Sequence, residues 1–265
     1  MPFKPKTAAV ALLAAALSLP AATGSAQSGA GARSDATGVT NVILVHGAFA
    51  DGSSWSKIVR LLEAKGLHVT AVQNPLTSLD DDVAATKRAI DAQPGRVLLV
   101  GHSWAGAVIS QIGDDPKVAG LVFVAAGAPD AGQSFSEMGK DYPPPEGGKH
   151  LKVDASGFAS LPRAAVLKYF APDLPQSEAD VIAVTQGPIA TKCFDTKITT
   201  AAWKTKPTWY VVAAHDQMIQ PALERALAKK MKATTIELST SHVAMLAQPR
   251  AVAAFIANAA ARVKN

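Results

Sequence analysis

The chain has one cysteine, Cys193. A single thiol excludes an internal disulfide framework and any zinc site built on cysteines. Cys193 reads as a buried thiol in a loop or helix. The basic residues are scattered, without a Lys/Arg tract, and the net charge is a modest +5. Such a pattern offers no landing site for nucleic acid or for an anionic membrane surface. No strand end carries Gly-x-Gly-x-x-Gly, and no glycine-rich turn ends in Gly-Lys-Ser/Thr, so nucleotide binding is rejected. No metal and no cofactor are called for. The apolar run Ala8 to Leu19 is too short to span a bilayer comfortably, so no stable membrane anchor is expected.

That run follows Lys4 and Lys6 and precedes Gly24-Ser25-Ala26. A basic start, an apolar stretch and small residues at a cleavage point make a signal peptide. Residues 1–26 are read as one, with cleavage near Ala26 and a secreted or periplasmic product; the alternative is an uncleaved anchor. Residues 27–40, rich in Gly, Ala and Ser, read as a flexible leader. Residues 41–265 remain for the folded domain.

What the chain does have is alternation. Its 265 residues are 48% apolar and 18% charged, enough for one domain with a full core. Strands are expected at Asn41–Val45, Leu67–Val72, Arg96–Val100, Val118–Ala126, Thr208–Ala213 and Thr234–Leu238. Helical periodicity falls between and after them, at 53–65, 81–92, 104–112, 221–231 and 249–263. This pattern predicts an α/β fold: about six core strands in a mostly parallel sheet with helices on both faces. Ligands of such a sheet gather at the carboxyl ends of its strands.

Residues 130–203 break the alternation. They show no clear strand, carry Pro143-Pro144-Pro145 and Gly147-Gly148, and have helical patches near Ser160–Phe170 and Ser177–Thr185. An insertion of this length, just before the penultimate strand, is expected to be a helical lid above the strand ends. Phe135, Met138, Tyr142, Phe158, Leu161, Tyr169 and Phe170 make it apolar. Each alone reads as glue between lid and core. Together they suggest a pocket for an apolar substrate portion, with Phe49, Phe135, Met138, Tyr142 and Phe170 as candidate contacts.

The most informative stretch is Val97-Leu98-Leu99-Val100-Gly101-His102-Ser103-Trp104-Ala105-Gly106. A buried strand runs into a tight turn, and small residues open a helix. A serine on such a turn is lifted above the sheet, beside the next backbone N–H and the positive end of the helix. Ser103 is therefore the candidate nucleophile. The motif Gly-x-Ser-x-Gly is met at Gly101 and Ser103, while its last place holds Ala105, with Gly106 one step late. The alternative is an ordinary strand–turn–helix joint with a chance serine.

A nucleophilic serine needs a base, and the base an orienting acid. Of six histidines, His242 follows the last strand, on the same rim as Ser103. Asp216 follows the strand before it. The order Ser103, Asp216, His242 is the one an α/β-hydrolase uses. A helix cap at Asp216 and a plain loop histidine at His242 are the alternatives. Two backbone donors must hold the developing oxyanion. The N–H of Trp104 is one; Ala48, in the loop after the first strand, supplies the other, with Phe49 as runner-up.

At this point the chain resembles the α/β-hydrolase superfamily over roughly Asn41 to Val263. Val42-Ile43-Leu44-Val45-His46-Gly47-Ala48 with Gly52 and Trp55 is similar to the branch holding plant methylesterases, hydroxynitrile lyases and many bacterial esterases. Gly101 to Gly106, His215-Asp216-Gln217-Met218-Ile219 and Ser241-His242-Val243-Ala244-Met245-Leu246 are similar too. The resemblance implies Ser103 as nucleophile, His242 as base, Asp216 as acid, a lid, and the absence of two strands that often precede the first. It implies cleavage of a small-molecule carboxylic ester. A lyase or perhydrolase on the same triad, or a ligand-binding protein that keeps the fold without turnover, are the alternatives. The resembling lyases carry threonine at the position of Gly47 and lysine at that of Val243. With neither present, hydrolysis is expected, and the bare Gly47 is expected to leave room for the ester beside Ser103.

Overall fold

A computed structural model of the chain describes residues 38–263. The expected signal peptide, and the leader as far as residue 37, lie outside them. Val39 is already buried, and its N–H donates to the Ala260 carbonyl at 2.8 Å.

The elements run β1 (Asn41–Val45), a 3₁₀ turn (Gly52–Trp55), α1 (Ser56–Glu63), β2 (His68–Val72), α2 (Leu79–Asp91), β3 (Val97–His102), α3 (Ala105–Ile112) and β4 (Val118–Val124). The insertion follows with α4 (Phe135–Met138), β5 (Lys152–Val153), β6 (Phe158–Ser160), α5 (Arg163–Ala165) running into a π-helical turn (Val166–Phe170), α6 (Gln176–Thr185), β7 (Ile189–Ala190) and α7 (Lys192–Asp195). The chain closes with β8 (Thr208–Ala213), α8 (Pro221–Lys230), β9 (Thr234–Leu238), α9 (Ala244–Ala247) and α10 (Pro249–Arg262).

The main sheet has six strands in the order β2-β1-β3-β4-β8-β9, and every pairing is parallel. β1, β3, β4 and β8 are buried at every residue, which is why they read as unbroken apolar runs. The edge strands β2 and β9 are partly exposed and keep threonines and a glutamate. Right-handed crossovers that travel opposite ways along a sheet lie on opposite faces. The crossover through α1 leads outward to β2, and those through α2, α3 and α8 lead back. Accordingly α1 packs with α10, and α2 with α3.

The order reverses between β1 and β3, where Val45 lies opposite Gly101. At such a switch point the loops beyond the two strands part and leave a crevice. The loop after β1 and the turn after β3 flank that crevice.

The insertion differs from the expected helical lid. It contains a three-stranded antiparallel sheet, β5-β6-β7. These strands are two or three residues long, too short to show a period of two, and β7 comes from far along the chain. Among the described residues no helix is long and apolar enough to cross a membrane.

Candidate active site

Ser103 stands at the turn between β3 and α3 with φ +55°. A side chain in this left-handed region costs about 1–2 kcal/mol. The turn is held from both sides. The Ser103 N–H donates to Val124 O (3.3 Å), and the Ser103 carbonyl accepts from the N–H groups of Gly106 (3.0 Å) and Gly127 (3.2 Å). The place where glycine is required is 106 and not 105. A Cβ on Gly106 would lie 1.9 Å from the Gly127 carbonyl oxygen. The helix passes so close to the loop after β4 that only glycine fits, whereas the Ala105 methyl is buried without displacing that loop.

Gly47 is a correction. A Cβ there would meet Ser103 Cβ at 2.7 Å and the His102 carbonyl oxygen at 2.8 Å. The space opposite Gly47 is filled by the serine turn itself, so the missing side chain lets the two loops touch; it does not make room for an ester.

His46 fixes the loop after β1. Its Nε2 accepts the Asn74 N–H (2.9 Å), so its Nδ1 carries the proton and donates to Gly47 O (2.9 Å). Asn74 Nδ2 donates back to His46 O at 2.9 Å. Burial holds the His46 ring below the usual histidine range, and so neutral. Beyond it, Ala48 and Phe49 are buried against the serine, with Phe49 at φ +58°. Among the described residues the N–H groups of Ala48, Phe49 and Trp104 donate to no protein acceptor. Buried amides rarely go unpaired, and these three lie beside Ser103.

Asp216 and His242 meet as the chain order suggested. His242 Nδ1 lies 2.5 Å from Asp216 Oδ2, and both side chains are almost wholly buried. Asp216 Oδ1 accepts the Met218 N–H (2.6 Å) and the Ile219 N–H (3.0 Å). Asp216 therefore does both jobs, turning its own loop and holding the histidine. The His242 loop is anchored to the insertion: Asp173 accepts from the Ser241 N–H at 2.7 Å and from the Ser241 hydroxyl. His102, next to the serine, points away from it. Its Nε2 donates to His242 O (2.9 Å), and its ring packs 4.6 Å from the His242 ring. Burial keeps it well below the usual histidine range. His215 is exposed and bonded to Ser239 Oγ at 2.9 Å.

Asp80, Asp81 and Asp82 stand in the first turn of α2, where negative charge favours the start of a helix. That part falls to Asp81, which pairs with Ser78 and Thr77. Asp82 turns inward. Its Oδ2 accepts the Trp104 indole N–H (2.8 Å), and its Oδ1 accepts the Leu76 N–H (2.8 Å). It thus steadies the residue that follows the serine. Burial pushes its carboxyl up to about 6, against the pull of those two hydrogen bonds. The folded chain then holds the proton more tightly than the unfolded one. The stability that Asp82 contributes is fully present below the unfolded value near 3.8 and is lost as pH rises through about 6. The ionised group costs on the order of 3 kcal/mol above that range. Asp82→Asn is expected to decline less steeply than the wild type when urea unfolding is followed from about pH 4 to about pH 7, because the Asp82 share of the decline is removed. A variant whose stability falls in parallel with the wild type would assign the decline to another group.

Ser103, His242, Ala48 and Phe49 open into one chamber of about 170 Å³, completed by Phe135, Gly148, Leu151, Phe194, Met218 and Ile219. Four of these come from the insertion, which therefore roofs the serine. A neighbouring lobe of about 450 Å³ shares Phe135, Met218 and Ile219 as a wall and is lined further by Met138, Tyr142 and the three prolines. Of the candidate contacts, Phe49 and Phe135 line the chamber, and Met138 and Tyr142 the neighbouring lobe. Phe170 lines neither. Its ring packs edge-on to His242 (5.1 Å), and it lines a different cavity of about 300 Å³ beside α1 and α6. It backs the histidine from behind. Gly148, Leu151, Phe194, Met218 and Ile219 were missed, since nothing in their local sequence tells an inward from an outward side chain. Cys193 is buried, its thiol pushed up to about 12 by burial.

A sequence model of the Alpha/beta hydrolase family matches residues 42–255. A pyrethroid hydrolase of Sphingobium wenxiniae is 27% identical over 254 residues, covering 83% of this chain and 87% of the relative. Among solved structures, a pyrethroid hydrolase of Sphingobium faniae matches with a TM-score of 0.71 at 22% identity, over 83% of this chain and 97% of that one. Polyneuridine aldehyde esterase matches with a TM-score of 0.74 at 19% identity, over 83% of this chain and 98% of that one. At such identities the structural likeness speaks for the fold. With its family match, its parallel six-stranded sheet and its serine turn at the switch point, the chain belongs to the alpha/beta hydrolase family.

Proposed function

We propose that this hydrolase cleaves carboxylic esters through an acyl-enzyme on Ser103. The observation that carries the reading is the buried 2.5 Å contact between Asp216 and His242, with His242 facing the same chamber as Ser103. Asp216 holds the proton on Nδ1 and leaves Nε2 free to accept. As Ser103 Oγ attacks the ester carbonyl, His242 takes the hydroxyl proton. The negative oxygen of the tetrahedral intermediate is met by the Trp104 N–H and by that of Ala48 or Phe49, the amides with no other acceptor. Collapse expels the alcohol, which takes the proton from His242. Water, deprotonated by His242, then attacks the acyl group and returns the serine.

The chamber walls are apolar apart from Ser103 and His242. That lining favours an uncharged ester with a compact group at the serine. A bulkier apolar arm fits the adjoining lobe. The pyrethroid hydrolase name of a relative agrees with an apolar ester.

The chamber lining includes no lysine or arginine, and Val243 lines the separate cavity beside α6. A departing cyanide would find no lysine or arginine among those apolar walls, where a poorly compensated charge is unfavourable. The purified protein is expected to turn over short and aryl esters with a measurable acyl-enzyme burst. It should leave mandelonitrile at its background rate. Cyanide release well above background, lost in Ser103→Ala, would replace the hydrolase reading with a lyase.

A further inference from the structure

Behind Asp216 lies a second carboxyl group with no part in the reaction as described. Glu224, in the first turn of α8, is fully buried. It shares the inward stripe of that helix with Leu223, Leu227 and Ala228. Its Oε2 accepts the N–H of Ala213, the last residue of β8, at 3.0 Å. Its Oε1 is buried and receives no hydrogen bond from any N–H or O–H. The Asp216 N–H donates to the carbonyl of that same Ala213 (3.2 Å), which brings the two carboxyl groups together, close enough for the charge of Asp216 to act on Glu224.

Two carboxyl groups in one dry pocket cannot both be charged, and two carboxylates brought together need a proton between them. The donors decide where it sits. Asp216 receives three, from Met218, Ile219 and His242. Glu224 receives one, from Ala213. The proton belongs on Glu224, whose Oε1 otherwise has no partner.

We propose that Glu224 is a positioning residue of this site: as a neutral carboxylic acid it donates a hydrogen bond to Asp216 and holds that carboxylate against His242. The remaining groups around it agree. Tyr210 on β8 faces it with a neutral hydroxyl that donates to Ala126 O. Arg225, the next residue, is turned outward and paired with Glu237 on β9. Among the described residues the cation that Glu224 feels is Arg225, whose guanidinium is committed to Glu237 and whose pull is weaker than the push of burial and of Asp216. Burial, and then the charge of Asp216, push the Glu224 carboxyl well above the usual carboxylate range.

The role rests on the ester-hydrolysis reading, but part of its test does not. Glu224→Gln keeps a carbonyl for the Ala213 N–H and an N–H donor for Asp216. Glu224→Met keeps the volume and loses both. The infrared spectrum of the wild type at neutral pH should show the carbonyl band of a protonated carboxyl, and Glu224→Gln should remove it. That measurement needs no substrate and stands apart from the reaction assigned to Ser103. With active sites counted by a phosphonate probe, Glu224→Gln should retain most of kcat and leave the acid limb of kcat/KM in place. Glu224→Met should lose about tenfold or more in kcat with little change in KM, the scale of one charge-assisted hydrogen bond. Its acid limb should move to higher pH, because an Asp216 without its donor holds the imidazolium more strongly.

Three results would overturn the proposal. A missing infrared band, or a downward move of the acid limb in Glu224→Gln, would show that Glu224 is ionised. A Glu224→Met with wild-type kcat per active site and an unmoved limb would show that it serves only packing. Should Glu224→Met fail to fold, the infrared band and the Glu224→Gln profile decide alone.

Discussion

Ser103→Ala is expected to abolish ester hydrolysis, with kcat falling by about 10⁶-fold, the scale on which loss of a serine nucleophile acts elsewhere. The fold should survive. The hydroxyl faces the chamber, and the hydrogen bonds that hold the turn are made by the Ser103 backbone. Alanine meets the same cost at φ +55° as serine does. The thermal midpoint should therefore stay within a few degrees of the wild type. An organophosphonate probe should label the wild type and leave the variant unlabelled. Equal labelling of the two would show that another residue attacks.

Asp216→Asn should lower kcat by about 10⁴-fold, the loss seen for the equivalent change in a triad on another fold. The geometry supplies the reason. Oδ1 is committed to the N–H groups of Met218 and Ile219. An asparagine must keep its oxygen there, and so turns its NH₂ toward His242 Nδ1. The imidazole then holds its proton on Nε2, the nitrogen that has to accept one from Ser103. KM should change little, since Asp216 does not line the chamber. His215→Ala, one residue away, should cost at most a few-fold, because its ring is exposed and bonded to Ser239. Reversed effects would make Asp216 a loop-turning residue only and place the acid elsewhere.

These two expectations were available before any coordinate. The central strands are buried on both faces, so each is written as a short run of apolar residues. The ends of such runs are where a parallel sheet presents its chemistry. Serine, aspartate and histidine at three of these ends, in that order, state a site without a map. The turn glycine is a smaller case. Local sequence showed that Ala105 stood where a glycine was expected, and Gly106 after it. Only the carbonyl of Gly127 tells which of the two positions has no space.

Sequence by itself determined the strands of the main sheet and the placement of Ser103, Asp216 and His242 at strand ends, because each depends on patterns a few residues long; the strand order, and with it the switch point, came from the fold. The tertiary structure alone decided what depends on partners far apart in the chain. Asp82 reaches Trp104 across 22 positions, and Asp173 reaches Ser241 across 68. Phe170 backs the histidine and does not line the serine chamber; β7 joins β6 across about thirty residues. Glu224 lies on the apolar stripe of its helix, beside Leu223, Leu227 and Ala228. Its meaning still required the fold, for only the packing of α8 on β8 brings it to Asp216. A side chain's direction around a helix can be read locally; what waits for it on the other side cannot.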